Sequence, residues 1–139
     1  MSETPFRYET DVTVRFRDLD LMNQVHNGVV LQYVEEARVR YFRDVFDGDI
    51  AEMNGAIARQ EIDYAAPITI GSSVTVRYRV SQIGDSSITM PFEVVADGEV
   101  AASGEVVHVV LDEDNRPTTV PSSWILNIRD FEGAPVDRD

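Results

Sequence analysis

RFRDLDLMNQVHNGVVLQYVEEARVRYF, residues 15–42, holds the only long helical signal in this 139-residue chain, and the fold turns on it. From Asn27 onward the apolar residues fall at Val30, Tyr33, Val34, Ala37, Tyr41 and Val45, which is the spacing of one helix face. Glu35, Glu36, Arg38, Arg40, Arg43 and Asp44 fill most of the remainder. The pattern predicts a helix over 27–46, with Gly48 as its stop. Before it, Tyr8, Thr10, Val12, Val14 and Phe16 alternate with Glu9, Asp11, Thr13 and Arg15, as in a half-buried strand. Between strand and helix lie two aspartates, two asparagines and one of the chain's two histidines.

Everything after the helix reads as strand. Residues 57–64 place Ala58, Ile62 and Tyr64 inward, and 73–82 set Val74, Val76, Tyr78 and Val80 against Thr75, Arg77, Arg79 and Ser81. Residues 87–95 and 99–111 flank Asp97-Gly98, a strong hairpin signal, and Gly84-Asp85 makes the turn before them. Pro91 cannot donate to a ladder and predicts an edge or a bulge. VVHVVL, residues 106–111, is apolar on both faces and predicts a central strand covered on both sides. Residues from about 125 onward read as a peripheral cap or frayed tail. A single antiparallel sheet must bury one face, and one amphipathic helix is the only partner on offer. The expected architecture is therefore a single α+β domain over 1–139, a curved antiparallel sheet of about five strands wrapped around one long central helix. One helix leaves part of such a sheet bare, so a homodimer or tetramer is expected.

Composition narrows the chemistry. Twelve basic residues, all arginine, stand against 25 acidic ones, for a net charge of −13 spread along the whole chain. Such a surface repels nucleic-acid phosphates and anionic lipid, and it resembles the surfaces of halophilic proteins. The absence of cysteine removes disulfides, thiolate nucleophiles and thiolate metal sites. No apolar run is long enough to span a bilayer, and MSETPFRYET has neither the basic nor the apolar region of a signal peptide. A cytoplasmic address is the expectation. There is no G-x-S-x-G, no phosphate-cradling glycine loop and no H-E-x-x-H, and the spacing of His26 and His108 signals no metal site.

Carboxylates, amides and one histidine remain. Asp18 and Asp20 follow the strand, and the helix start around Val25, His26, Asn27 and Gly28 offers unpaired N–H groups at the positive end of a dipole. Such donors can hold a carbonyl oxygen as it becomes an oxyanion. A carboxylate beside them can attack an activated acyl carbon, or deprotonate a water that does, which suits a thioester. The same residues also fit a purely local reading, with Asn27 as helix cap, solvated loop aspartates and an incidental His26.

The segment from Val14 to Phe42 resembles the signature of 4-hydroxybenzoyl-CoA thioesterase-like proteins. These are hot-dog fold acyl-CoA thioesterases with the pattern V-R-x-x-D-x-D-x-x-G-H-V-x-N-x-x-Y-x-x-x-x-E-x-A-R. Residues 61–94 and 109–121 fit the family's later segments, so the resemblance covers nearly the whole chain. It implies that Asp20 is the catalytic carboxylate, Asp18 its support, and Asn27 a cap or carbonyl-orienting group. Glu36 and Arg38, in the stretch that matches E-x-A-R, become candidates for supporting roles. It further implies an acyl-CoA substrate, with CoA part of that substrate and no separate cofactor or metal, and a site at a subunit interface. Candidate pocket residues are Tyr33, Ile57 and Met90. The chain departs from the pattern at Asn23-Gln24, where the family has Gly-His, which leaves the loop geometry open and makes His26 a candidate substitute for that histidine. Enoyl-CoA hydratases of the same fold resemble D-x-N-P-x-H, but Val25 occupies the histidine position here. A non-catalytic acyl- or CoA-binding module is the other alternative. His108 and Trp124 read as core residues.

Overall fold

The computed structural model describes residues 6–46, 54–133 and 136–138. Strand β1 (Tyr8–Val12) leads through a 3₁₀ turn (Phe16–Asp18) to helix α1 (Asn27–Tyr41), which runs on into a π-helical turn (Phe42–Phe46). Strands β2 (Gly55–Tyr64), β3 (Val74–Tyr78), β4 (Gln82–Ile83), β5 (Ser87–Ala96) and β6 (Glu99–Val110) follow. Helix α2 (Ser122–Glu132) and the short β7 (Asp137–Arg138) complete the chain. Antiparallel pairing sets the order β1-β3-β5-β6-β2, while β4 pairs with the first part of β5 and β7 lies parallel to β4. The sheet is open, and α1 packs on β1 and β3. This is the α+β arrangement expected, with two additional strands of two residues each. Gly48, the expected helix stop, lies outside the described residues.

Helix α1 buries the face that its periodicity marks: Val30, Tyr33, Val34, Ala37 and Tyr41. Ala37 and Tyr41 have no exposed surface, and the small Ala37 lets the helix approach the valines of the sheet closely. Val74, Val76, Tyr78, Met90, Phe92, Val94 and Val106 form the opposite wall. The Tyr78 hydroxyl donates to the Val34 carbonyl at 3.1 Å, fixing the helix along its axis. At the expected β5–β6 hairpin Asp97 and Gly98 both take positive φ, 51° and 86°, as a type I′ turn requires.

Four expectations need correction. Strand β1 ends at Val12, and Phe16 sits in the 3₁₀ turn with 84% of its surface exposed. Strand β2 is exposed at nearly every position, Ala58 and Tyr64 included, because among the described residues it pairs only with β6, at the sheet edge. Strand β6 buries Val106, His108 and Val110 on one face and leaves Val107 and Val109 half-buried, so one side only is covered. The tail is neither peripheral nor frayed where it is described, since Ile128 is fully buried and Val136 nearly so.

Pro91 lies inside β5, opposite Glu105, with no edge or bulge of its own. Its carbonyl accepts from the Arg79 amide at 3.2 Å. In an antiparallel pair a residue's N–H and C=O face the same neighbour, so the missing donor faces residues 79–81, where β3 gives way to β4. The Val80 amide, which points away from β5, donates to the Glu132 carboxylate at 3.1 Å, and the same oxygen accepts from the Tyr41 hydroxyl at 2.5 Å. One buried carboxylate thus joins α2, α1 and the sheet.

His108 is buried, with Nδ1 3.1 Å from Arg38 Nη1 and its ring edge-on to Phe42. Gly55 makes room for it, since a Cβ there would collide with His108 Nε2. Burial, with the Arg38 charge added, pushes this histidine down to about 4.

Two stability measurements follow from these contacts. Glu132→Ala leaves the Tyr41 hydroxyl and Val80 amide unpaired and should cost about 2–3 kcal/mol by urea denaturation, with Glu132→Gln costing less. The unfolded chain protonates His108 near pH 6.5 while the folded chain resists down to about pH 4. Stability should therefore decline as pH falls through that window, by about 1.4 kcal/mol per pH unit. The decline should be shallower in His108→Gln.

Candidate active site

The junction between β1 and α1 is organised by its backbone. Leu19 pairs with Val25 and Gln24 with Thr69 as isolated antiparallel bridges, which closes residues 20–24 into a loop. Asp20 holds that loop together. Its amide donates to the Gln24 carbonyl at 2.7 Å, and its Oδ1 accepts from the Met22 and Gln24 amides at 2.8 and 3.2 Å. Asn23 takes φ 62°, a left-handed conformation that asparagine tolerates, so the loop closes without the family's glycine. Oδ2 of Asp20 has no protein partner among the described residues.

Asp18 differs. Its Oδ2 accepts from the Tyr33 hydroxyl at 2.6 Å and the Arg15 amide at 2.9 Å. Partial burial pushes its carboxyl up, but these bonds and the charges of Arg15 and Arg17 outweigh that and hold it below the usual carboxylate range. Burial and the bond to Asp18 push the Tyr33 hydroxyl up in turn. Asp18 is an anchor for the helix.

The helix cap is His26, not Asn27. His26 has φ −58° and ψ 139°, and its Nδ1 accepts from the Gly28 amide at 2.9 Å. Of the four residues expected to offer free amides, three are engaged: Val25 N–H donates to the Ile68 carbonyl at 2.7 Å, His26 N–H to the Asp18 carbonyl at 2.9 Å, and Gly28 N–H to His26. Asn27 N–H alone has no acceptor among the described residues. The Asn27 carbonyl accepts from the Tyr64 hydroxyl at 3.0 Å.

Glu36 does not reach this region. It pairs with Arg40 at 2.9 Å on the helix surface. Glu35, which occupies the glutamate position of the family pattern, holds Arg38 at 2.9 Å, and Arg38 reaches His108 and lies over the Phe42 ring.

A cavity of about 300 Å³ opens at the helix start, lined by Val25, Asn27, Val30, Tyr64, Ile68 and the alanine pairs at 65–66 and 101–102. A second, of about 330 Å³, shares Ala66, Pro67 and Ala101 with it and extends to Thr69, Asp97 and Glu99. Asp20 lines neither, and is joined to the first through Gln24. Tyr33, Ile57 and Met90 line neither, and Met90 is core. Sequence reasoning missed Tyr64 and the alanines. The signal for them is the small-residue run at 65–66, just before Pro67, where a strand leaves the sheet, matched by a second pair at 101–102. Among the described residues no three His, Cys, Asp or Glu side chains converge as a metal site requires.

An open antiparallel sheet packed on one long helix, with a cavity at that helix's start, is the arrangement of a hot-dog fold protein. Residues 14–128 match the model of the Thioesterase-like superfamily, and the chain belongs to it. A thioesterase from Thermus thermophilus, solved in complex with coenzyme A and Zn, is 42% identical with a TM-score of 0.87, over 94% of this chain and 97% of that one. The 1,4-dihydroxy-2-naphthoyl-CoA hydrolase of Synechococcus sp. (strain CC9605) is 29% identical over 126 residues, 84% of each chain. A 1,4-dihydroxy-2-naphthoyl-CoA thioesterase from Synechocystis shares the fold, with 18% identity and a TM-score of 0.82 over 92% of this chain and 98% of that one.

Replacing Tyr33 with Phe removes the donor to Asp18. The Asp18 carboxyl should then titrate closer to its ordinary range by NMR, and folding stability should fall by about 1–2 kcal/mol.

Proposed function

We propose that this chain hydrolyses an acyl-CoA thioester to free acid and CoA, with Asp20 as the working carboxylate. The observation that carries this reading is the presence of two unengaged groups at one junction: Oδ2 of Asp20, and the N–H of Asn27, a residue that lines the cavity. Asn27 N–H, at the positive end of α1, holds the thioester oxygen as it gains charge. Asp20 either attacks the acyl carbon, expelling CoA thiolate and forming an anhydride that water then opens, or takes a proton from the attacking water. The coenzyme A bound by the Thermus relative and the naphthoyl-CoA substrate of the Synechococcus relative support a CoA ester as substrate.

The same reading includes a homodimer or a higher assembly with the site near the subunit interface. Its support is β2, a ten-residue strand paired on one side only among the described residues and exposed along nearly its whole length, the kind of edge that a second copy covers. Tyr64, at the end of this strand, lines the cavity, so a partner on β2 would approach the site. Among the described residues no helix is long and apolar enough to cross a membrane. The acidic, lysine-free surface supports a halophilic cytoplasmic enzyme, and assays belong in molar salt.

Thiol release from a panel of acyl-CoAs should be measured for the wild type and Asp20→Asn. A loss of about 10²–10⁴-fold is expected, and a mutant as active as the wild type would remove Asp20 from the mechanism. Binding of acyl-CoA without release would favour the non-catalytic module instead. Light scattering in the same salt should give at least twice the chain mass.

A further inference from the structure

Resting on the thioesterase reading of this site, we propose that Tyr64 and His26 clamp a single peptide group, the one between Asn27 and Gly28, and thereby aim the Asn27 N–H into the cavity. That makes Tyr64 a positioning residue of the site. The carbonyl of this peptide group accepts from the Tyr64 hydroxyl at 3.0 Å, and its N–H donates to His26 Nδ1 at 2.9 Å. The preceding peptide is held on its carbonyl side, where His26 O accepts from the Val29 and Val30 amides at 2.9 and 3.1 Å. Among the described residues, the one backbone group left unengaged between these fixed points is the Asn27 N–H. Its direction is therefore set by its neighbours, as preorganised oxyanion binding requires.

Tyr64 is an unusual residue to find making such a bond. It ends the exposed strand β2, 42% of its own surface is accessible, and burial accounts for little of its placement. A hydrogen bond at so exposed a position adds little to folding stability. Its consequence is geometric: it carries the end of β2 across 37 positions of sequence to the first turn of α1 and sets the phenol ring in the cavity wall. Partial burial of that ring raises its hydroxyl above the ordinary tyrosine value, so the group remains a donor at neutral pH. On the other side of the peptide, the histidine acts through a ring nitrogen that accepts. Asparagine, another side chain able to accept the same amide, should replace it.

Tyr64→Phe, His26→Ala, their double mutant and His26→Asn test the clamp, each checked for folding by circular dichroism. With the acyl-CoA that the wild type hydrolyses best, the two single mutants should each lose about tenfold in kcat with KM within about twofold. The double mutant should lose little more than either, because both act on one peptide group. His26→Asn should recover to within about threefold of the wild type. A Tyr64→Phe enzyme with wild-type kcat, or one impaired through KM alone, would overturn the proposal. Amide hydrogen exchange at Gly28 should be faster in Tyr64→Phe and His26→Ala than in the wild type, and equal rates would overturn it whether or not the chain hydrolyses thioesters. A wild type that releases no thiol from any acyl-CoA would instead remove the thioesterase reading, while the exchange rates still decide the clamp.

Discussion

The position of α1 on the sheet is the constraint from which the rest follows. Ala37 has no exposed surface and Val34 almost none, so helix and sheet are in contact with no room for adjustment. Tyr78, reaching the Val34 carbonyl, then fixes the helix lengthwise. With the axis set, the helix must begin at one place, and every polar group at that beginning has to find a partner or face the cavity. Tyr33, on the buried face one to two turns in, holds Asp18. Asp18 and Ile68 take the amides of His26 and Val25. The geometry at the junction is thus a by-product of packing several residues away.

A second tie lies where β3 gives way to β4. A proline in a central strand withholds one hydrogen bond, and the neighbouring strand breaks opposite it into β3 and β4. The Val80 amide, in the segment between β3 and β4, points away from β5 and is buried, so it needs an acceptor. Glu132 supplies it and accepts from Tyr41 as well, so the far end of α1 is tied to α2 and the sheet. A buried carboxylate is costly unless its bonds are made, and here its two donors come from different layers of the fold. The Glu132 carboxylate is thus what docks the C-terminal helix against α1 and the sheet.

What the sequence made legible follows the same physics. Helix α1 and the β5–β6 hairpin were readable because their signals are local: a 3.6-residue period, and an Asp-Gly that can take two positive φ angles. The faces of β2 and Phe16 were not readable, because an alternating pattern says which residues share a side and not whether anything covers it. Asp20 stood out through its spacing and its family resemblance. The cap did not, since histidine and asparagine stand side by side and either can accept an amide. The small-residue run at 65–66 marks the cavity wall beside Tyr64, but the Tyr64 bond to the Asn27 carbonyl was not readable, because it spans 37 positions. Glu35 and Glu36 are adjacent, and only the helix geometry separates the one facing Arg38 from the one facing Arg40.

The reduction of four candidate amides to one also bears on the kind of ester that the proposed site would suit. A single well-aimed oxyanion donor is worth about 3–4 kcal/mol of barrier, and a general base about as much again. Neither reaches what an amide demands, whose resonance-stabilised carbonyl must be broken and whose leaving nitrogen must be protonated. A thioester has weaker resonance and a thiolate that leaves as an anion, so it needs no acid at the leaving group. A carboxylate, one amide and a helix dipole, in a chain with no cysteine and no serine elbow, therefore match the reactivity of a thioester and fall short of that of a peptide.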